Sequence, residues 1–293
     1  VSALAFGCGP IGGRGLAARD DSVAALTAGW DCGIRHFDTA PSYGDGAGEE
    51  LLALALRDWP RHEVTVSTKV GRVRMAIEDR YGRPEGPCRE PLFDFTAPAL
   101  RASVHTSLHR LGLDHLDMVG GHDPDDHLDL AVRETFPALR DMSEVGAVGV
   151  GTTSVDAART LVRLGAVDVV LIAGAWSLTR RGAAALLDEC AATGVTVLAA
   201  APFDSGLLAR DEGRYLYRPV PPDVHERVRA MARLCAGHGV RLRQTALQFP
   251  LRHPAVGPVV TGMCSPEEVR DNTALLGTPV PDALWAELDQ LVT

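Results

Sequence analysis

No apolar run in this sequence reaches the roughly 18 residues that a membrane-spanning helix needs. Nothing ahead of "VSALAF" has the segments of a secretory signal, so a cytoplasmic location is expected and no membrane partner. C-x-x-C pairs are also missing. The six cysteines (Cys8, Cys32, Cys88, Cys190, Cys235, Cys264) are widely spread, which suits free thiols in a reducing compartment and sets aside a disulfide framework. Basic residues are outnumbered, 29 Lys and Arg against 38 Asp and Glu, for a formal net charge of −9. That balance argues against nucleic acid as a partner, because phosphate contacts need concentrated Lys and Arg. The one dense basic stretch, Arg227 to Arg243, has the helical spacing of a solvated face. No low-complexity tract or linker-like shift divides the chain, and its 30 glycines and 19 prolines are scattered as punctuation. No metal site is expected.

Short apolar runs are present instead, and they recur. "ALAFG" (3–7), "IRHFD" (34–38), "VTVST" (64–68), "LDMVGG" (116–121), "AVGVG" (147–151), "DVVLIAG" (168–174), "VTVLAA" (195–200) and "GPVVTG" (257–262) read as strands. They are continuous more than alternating, as parallel strands covered on both faces are. Amphipathic stretches separate them. "DSVAALTAGWDCG" carries Val23, Leu26 and Trp30 on one face and stops at Gly33. "APALRASVHTSLHRLG" lines up Leu100, Val104, Leu108 and Leu111 and stops at Gly112. Ser154 caps "SVDAARTLVRLG", and Ser265-Pro266-x-Glu268 is a capping box. Eight β-then-α units in 293 residues predict an α/β protein, a single-domain (β/α)8 TIM barrel over residues 1–293.

A competing signal sits at the start. "FGCGPIGG" places Gly7, Gly9 and Gly12 in the G-x-G-x-x-G spacing of a dinucleotide-binding Rossmann turn. A Rossmann domain uses about six strands and leaves a distinct second domain. The motif also runs into "RGLAARD", which is not a convincing helix start. The strand count therefore outweighs it.

In such a barrel the chemistry lies at the C-terminal ends of the strands. Asp38 ends the second strand, Tyr43 follows in "DTAPSYG", Lys69 ends the third, and His122 ends the fourth in "GGHDPDD". A Tyr hydroxyl, with a pKa of about 10, is a poor acid or base near neutrality. An adjacent ammonium lowers that value, and a carboxylate keeps the ammonium charged and oriented. A nearby imidazole can fix the reacting oxygen. Each residue also has a plain structural role open to it: a turn cap, a turn aromatic, a surface lysine, a satisfied core histidine. Four at successive strand ends are harder to dismiss.

Through "RHFDTAPSYGDG", "STKVG", "SLHRLGLDHLDMVGGHDPD" and "VVTGMCSPEEVRDN", the chain resembles the aldo-keto reductase superfamily over essentially its whole length. "HDPDD", "DVVLIAG", "PFDSGLLA", "YLYRPVP" and "ALQFPLRHPAV" make it most similar to the aldose 1-dehydrogenases. The resemblance implies a nicotinamide cofactor extended across the barrel mouth. It makes Tyr43 the proton-transfer residue, Lys69 and Asp38 its tuning pair, and His122 the residue that orients the substrate oxygen. It makes the opening glycine motif a decoy, with Gly9 and Pro10 shaping the first loop. The carboxamide end falls to Thr153 and Ser154, and the nicotinamide face to Trp176. The pyrophosphate falls to Pro202, Phe203, Ser205, Gly206 and Leu208. The adenosine end falls to Gly262, Met263, Ser265, Glu268 and Asn272.

The chain departs from the family pattern in three places. Ala173 stands where a glutamine usually contacts the carboxamide. "GAWSLTR" replaces the pattern of the sugar-oxidising relatives. The usual N-terminal hairpin does not precede the first strand.

NADP would need Arg or Lys for its 2′-phosphate, and the usual positions hold Cys264 and Glu268, so NAD is expected. Arg270 leaves NADP open. The expected activity is NAD-linked oxidation of an aldose such as L-fucose at C1. An NADP-linked reductase of non-sugar carbonyls is the alternative, and a non-catalytic cofactor-binding sensor or accessory barrel is a third reading. The substrate contacts, expected from the loop Arg72 to Phe95, and the oligomeric state are not legible in the sequence.

Overall fold

A computed structural model describes residues 2–11, 16–72, 92–210, 215 and 218–292. Eight parallel strands close into a barrel in sequential order: β1 (Leu4–Gly7), β2 (His36–Asp38), β3 (Thr65–Val70), β4 (Leu116–His122), β5 (Val145–Thr152), β6 (Val169–Ala173), β7 (Thr196–Ala200) and β8 (Val256–Gly262). β1 closes the ring on β8, with Gly7 level with Gly262. All eight predicted strands exist, within two residues at their ends.

Helices cover the ring: α1 (Leu16–Asp31), α2 (Ala47–Leu56), α3 (Ala97–Leu111), α4 (Leu128–Leu130), α5 (Phe136–Arg140), α6 (Val155–Arg163), α7 (Ala184–Thr193), α8 (Pro222–Gly237), α9 (Leu242–Gln248), α10 (Pro266–Gly277) and α11 (Asp282–Gln290). A π-turn, Ala131–Thr135, joins α4 to α5. The expected caps are in place. Ser154 Oγ accepts from Ala157 N at 3.2 Å, and Ser265 Oγ accepts from Glu268 N at 3.2 Å. Gly112 ends α3 in the left-handed conformation.

One expectation is corrected here. "RGLAARD" does lead into a helix, since α1 begins at Leu16. The strand–glycine–helix context is therefore present, and what defeats the Rossmann reading is closure of the sheet. In a closed barrel β1 has neighbours on both sides, so there is no crevice between diverging strands for a dinucleotide to enter.

Strand residues alternate between the helix layer and the barrel axis. Outward-facing Phe6, Phe37, Val66, Val119, Val148, Val150, Val170 and Val259 join the helices in one large core. The axis is filled by Ala5, Met118, Leu171, Leu198, Ala200 and Val260, with Ala147, Val169 and Ala173 against them. Among the described residues, no helix is long and apolar enough to cross a membrane, and none of the described cysteines is in a disulfide.

The turn leaving β3 leaves no room for a side chain. Gly71 has φ +92°, and a Cβ there would sit 2.1 Å from Phe95 Cε1. Gly71→Ala combines backbone strain with overpacking. Urea unfolding should show a loss of about 2–4 kcal/mol, the sum those two effects ordinarily reach.

Candidate active site

The inward-facing alternation that fills the axis also decides what stands at its upper end. On β2, β3 and β4 the last inward positions hold Asp38, Lys69 and His122, all buried. On β5 through β8 they hold Gly151, Ala173, Ala200 and Gly262. One half of the mouth is thus charged and the other half has almost no side chains. The bareness is required at two points. A Cβ on Gly151 would crowd Lys69 Cε at 3.0 Å, and one on Gly262 would meet Pro10 Cγ at 2.4 Å.

The charged half is a hydrogen-bonded chain. Lys69 Nζ donates to Asp38 Oδ2 at 2.7 Å and to the Thr39 carbonyl at 2.9 Å, and it lies 5.1 Å from the centre of the Tyr43 ring. The other Asp38 oxygen, Oδ1, accepts from Ser67 Oγ at 2.7 Å, and Ser67 is 2.9 Å from His36 Nε2. Because Ser67 donates to Asp38, it accepts from His36, which places the His36 proton on Nε2. Sequence reading missed Ser67 and His36. Their signal was period two: each lies two residues before a member of the tetrad, on the same strand face.

Tyr43 comes from the turn after β2, not from a strand. Its ring stands edge-on to His122, centroids 5.9 Å apart at 89°, and Gly9 of the first loop lies against it. The Tyr43 turn is anchored from below by Glu49 at the start of α2. That carboxylate is fully buried, accepting from Thr68 Oγ1 at 2.8 Å and Arg110 Nη1 at 3.1 Å. Thr68 precedes Lys69, so one carboxylate ties the tyrosine's turn to the lysine's strand.

His122 has Ser42 Oγ 3.4 Å from Nδ1. With that hydroxyl donating, the proton sits on Nε2, the nitrogen that faces Asp123 Oδ2 at 3.8 Å. Asp123 has φ 47° and is paired with Arg72, just past β3. Of the aspartates in "HDPDD", Asp125 is engaged by Thr152 Oγ1 at 2.7 Å, and Asp123 is the one that turns to the mouth.

The electrostatics follow from burial. It pulls the Lys69 amine down, but the Asp38 charge and Tyr43 more than reverse this, so Lys69 is raised above the ordinary lysine range and stays an ammonium. The Tyr43 phenol is raised by burial, and Lys69 only partly offsets that. The expected downward tuning by the ammonium is present but loses to desolvation, so the group rests as a neutral phenol. His122 is pushed well below 6.5 by burial, then by Lys69 and Arg72, and is neutral. Burial raises Asp123 against the pull of Arg72.

The loop after β7 runs through left-handed backbone at Ala201, Asp204, Ser205 and Gly206, and its turns are closed from within, with Asp204 N donating to the Ala201 carbonyl at 3.2 Å and Gly206 N to the Phe203 carbonyl at 2.9 Å. Asp204 anchors it, fully buried and bonded by Ser177 Oγ at 2.9 Å and by Thr179. Together with the bare shelf, this loop fits a long, flat, phosphate-bearing cofactor. Beyond it, Glu268 places one oxygen 2.8 Å from Cys264 N and the other 3.3 Å from Arg210 Nη2. Arg243 donates to Asn272 Oδ1 at 2.8 Å and lies 5.5 Å over Phe203. Arg210 and Arg243 carried no sequence signal, since they reach this corner from distant segments. Arg270 faces away, into the outer groove between α1 and α10.

Several expected cofactor contacts are occupied otherwise. Trp176 packs on Phe249 at 5.1 Å and His253 at 5.9 Å, with its indole N–H on the Pro250 carbonyl at 3.3 Å. It therefore stands in the outer layer and not over the mouth. Ser154 Oγ is the cap of α6, while Thr153 is exposed at the mouth. Pro202, Leu208 and Met263 are buried as packing.

Residues 3–293 match the model of the aldo/keto reductase family. The chain belongs to that family. It is 38% identical over 308 residues to a D-threo-aldose 1-dehydrogenase of a Pseudomonas species, covering 98% of this chain and 93% of that one. It is 32% identical over 284 residues to an L-galactose dehydrogenase of Arabidopsis thaliana, covering 94% and 84%. In fold it is similar to a glycerol dehydrogenase from Gluconobacter oxydans, with a TM-score of 0.81 at 24% identity over 100% and 91% of the two chains. As a family member the chain is an oxidoreductase that uses a nicotinamide cofactor.

The Lys69–Asp38 pair gives a direct test. Asp38→Asn leaves an ammonium buried without its counter-charge, which ordinarily costs about 3–5 kcal/mol. Unfolding in urea at neutral pH should show that loss, whereas Ser67→Ala should cost about 1 kcal/mol.

Proposed function

We propose that this enzyme oxidises an aldose, with L-fucose-like sugars as the leading class, at C1 with NAD. The observation that carries the reading is the buried Lys69 ammonium, held by Asp38 and the Thr39 carbonyl beside the Tyr43 ring. Such an ammonium favours the phenolate form of Tyr43 and so opposes the effect of burial on it.

A nicotinamide, when bound, supplies the two-electron hydride chemistry. Gly151, Ala173, Ala200 and Gly262 would leave room for its ring. Ser205 and Gly206, being small, would let the pyrophosphate approach the backbone, with Phe203 and Asn272 toward the adenosine. In the oxidative direction Tyr43 accepts the proton of the substrate hydroxyl as phenolate, beside the Lys69 charge. His122 Nε2–H donates to the same oxygen and fixes it. In reduction Tyr43 is already the neutral phenol and gives that proton back.

Two features support NAD. Glu268 presents a carboxylate at the start of α10, and Arg210, the nearest cation, is drawn into an ion pair with it. A 2′-phosphate would have to break that pair and meet the carboxylate. Glu268→Gln should therefore raise the NADP-to-NAD ratio of kcat/KM by about tenfold, the factor that about 1.4 kcal/mol of relieved repulsion corresponds to.

Initial rates with L-fucose and other aldoses, run with NAD and NADP in parallel, test the whole reading. Turnover with NAD that Tyr43→Phe abolishes is the expected result. Turnover confined to NADP and non-sugar carbonyls would replace the reading with the alternative reductase, and cofactor binding without turnover would replace it with a sensor.

The titrations add a signature. Because burial lowers both His122 and His36 from 6.5, kcat/KM for oxidation should show no histidine limb near neutrality. Because Tyr43 is raised, oxidation should still be climbing above about pH 9, toward and past the ordinary tyrosine range.

A further inference from the structure

We propose that Asp123 and Arg72 form a hydroxyl-binding subsite that recognises the hydroxyl on the carbon next to the reacting one, and so select polyhydroxylated substrates. This rests on the aldose reading and deepens it.

The geometry carries the argument. His122 Nε2 holds the reacting oxygen, and Asp123 Oδ2 lies 3.8 Å from that nitrogen. A hydroxyl on the neighbouring carbon lies within hydrogen-bond range of the reacting oxygen, so it falls beside this carboxylate. Asp123 reaches the place through a φ of 47°. Side-chain-bearing residues adopt that left-handed backbone at a cost, and Asn and Asp tolerate it best. The turn brings the carboxylate back over the strand end that carries His122, and the Asp123 N–H is tied to the Gly151 carbonyl at 2.8 Å.

Arg72 holds the other side. Its guanidinium pairs with Asp123 Oδ2 and lies 5.7 Å over Phe93, which itself stacks on Phe95 and packs at a tilt against His127. The two side chains are 20% and 26% exposed, so they are positioned by packing yet reachable from the mouth. An acceptor and a donor fork side by side match the alternating donors and acceptors of a polyol.

The pair also rejects substrates. A substrate lacking the adjacent hydroxyl would cover the Asp123 carboxylate without giving it a partner. A site built to hydrogen-bond a hydroxyl discriminates strongly against analogues that lack it.

The test is a cycle between protein and substrate. The best aldose and its 2-deoxy analogue are each oxidised by the wild type, by Asp123→Asn, which keeps a residue tolerant of the left-handed turn, and by Arg72→Gln. Wild-type enzyme should favour the aldose by at least tenfold in kcat/KM, with that ratio falling to within about threefold in Asp123→Asn and dropping in Arg72→Gln as well. Equal loss on both substrates, with the ratio unchanged, overturns the subsite and leaves the aldose reading standing. A wild type that treats the two sugars alike does the same. Absence of turnover with every aldose overturns both.

Discussion

A lysine ammonium inside a protein is stable only if every proton it carries has a partner and a negative charge lies beside it. Lys69 is held by the end of β2 and the residue that follows it, through the Asp38 carboxylate and the Thr39 carbonyl, and it lies beside the Tyr43 ring. Much of the surrounding structure serves this group. A side chain on Gly151 would crowd the Lys69 stem, Ser67 donates to the second oxygen of Asp38, and Glu49 joins the turn of Tyr43 to the strand of Lys69.

The closed barrel converts that local need into an asymmetric mouth. Parallel strands in sequential order bring four successive inward ends to one half-circle, and those are the ends that carry Asp38, Lys69 and His122 after the glycine of β1. The opposite half-circle is glycine and alanine. A flat cofactor lying on the bare half would face the proton-transfer group on the other, so the division of the mouth also divides hydride chemistry from proton chemistry. The left-handed turn after β7 borders the bare half.

Charge at the rim is distributed with equal economy. Arg72 pairs with Asp123 above the histidine, and Arg210 pairs with Glu268 at the far end. Neither pair is buried as deeply as Lys69–Asp38, so charge at the mouth is fixed at the bottom and half-exposed at the rim.

Strand apolarity and helix caps are local properties, so all eight strands and the capped starts of α6 and α10 were legible in the chain before any contact was known. The tetrad was legible too, because Asp38, Lys69 and His122 each mark the end of an apolar run. Other features depend on which face a residue presents and on what packs over it. Trp176 reads as a mouth aromatic and stands among Phe249 and His253. Ser67 and His36 read as strand residues and complete the proton network. Arg210 and Asp123 find partners 58 and 51 residues away in sequence. Tyr43 shows the limit most clearly: the sequence supplied the ammonium that lowers its pKa, but burial, which only the packed structure decides, outweighs that charge and leaves the phenol protonated. Apolar pattern and cap chemistry belong to neighbours along the chain, whereas ionisation and selectivity belong to neighbours in space.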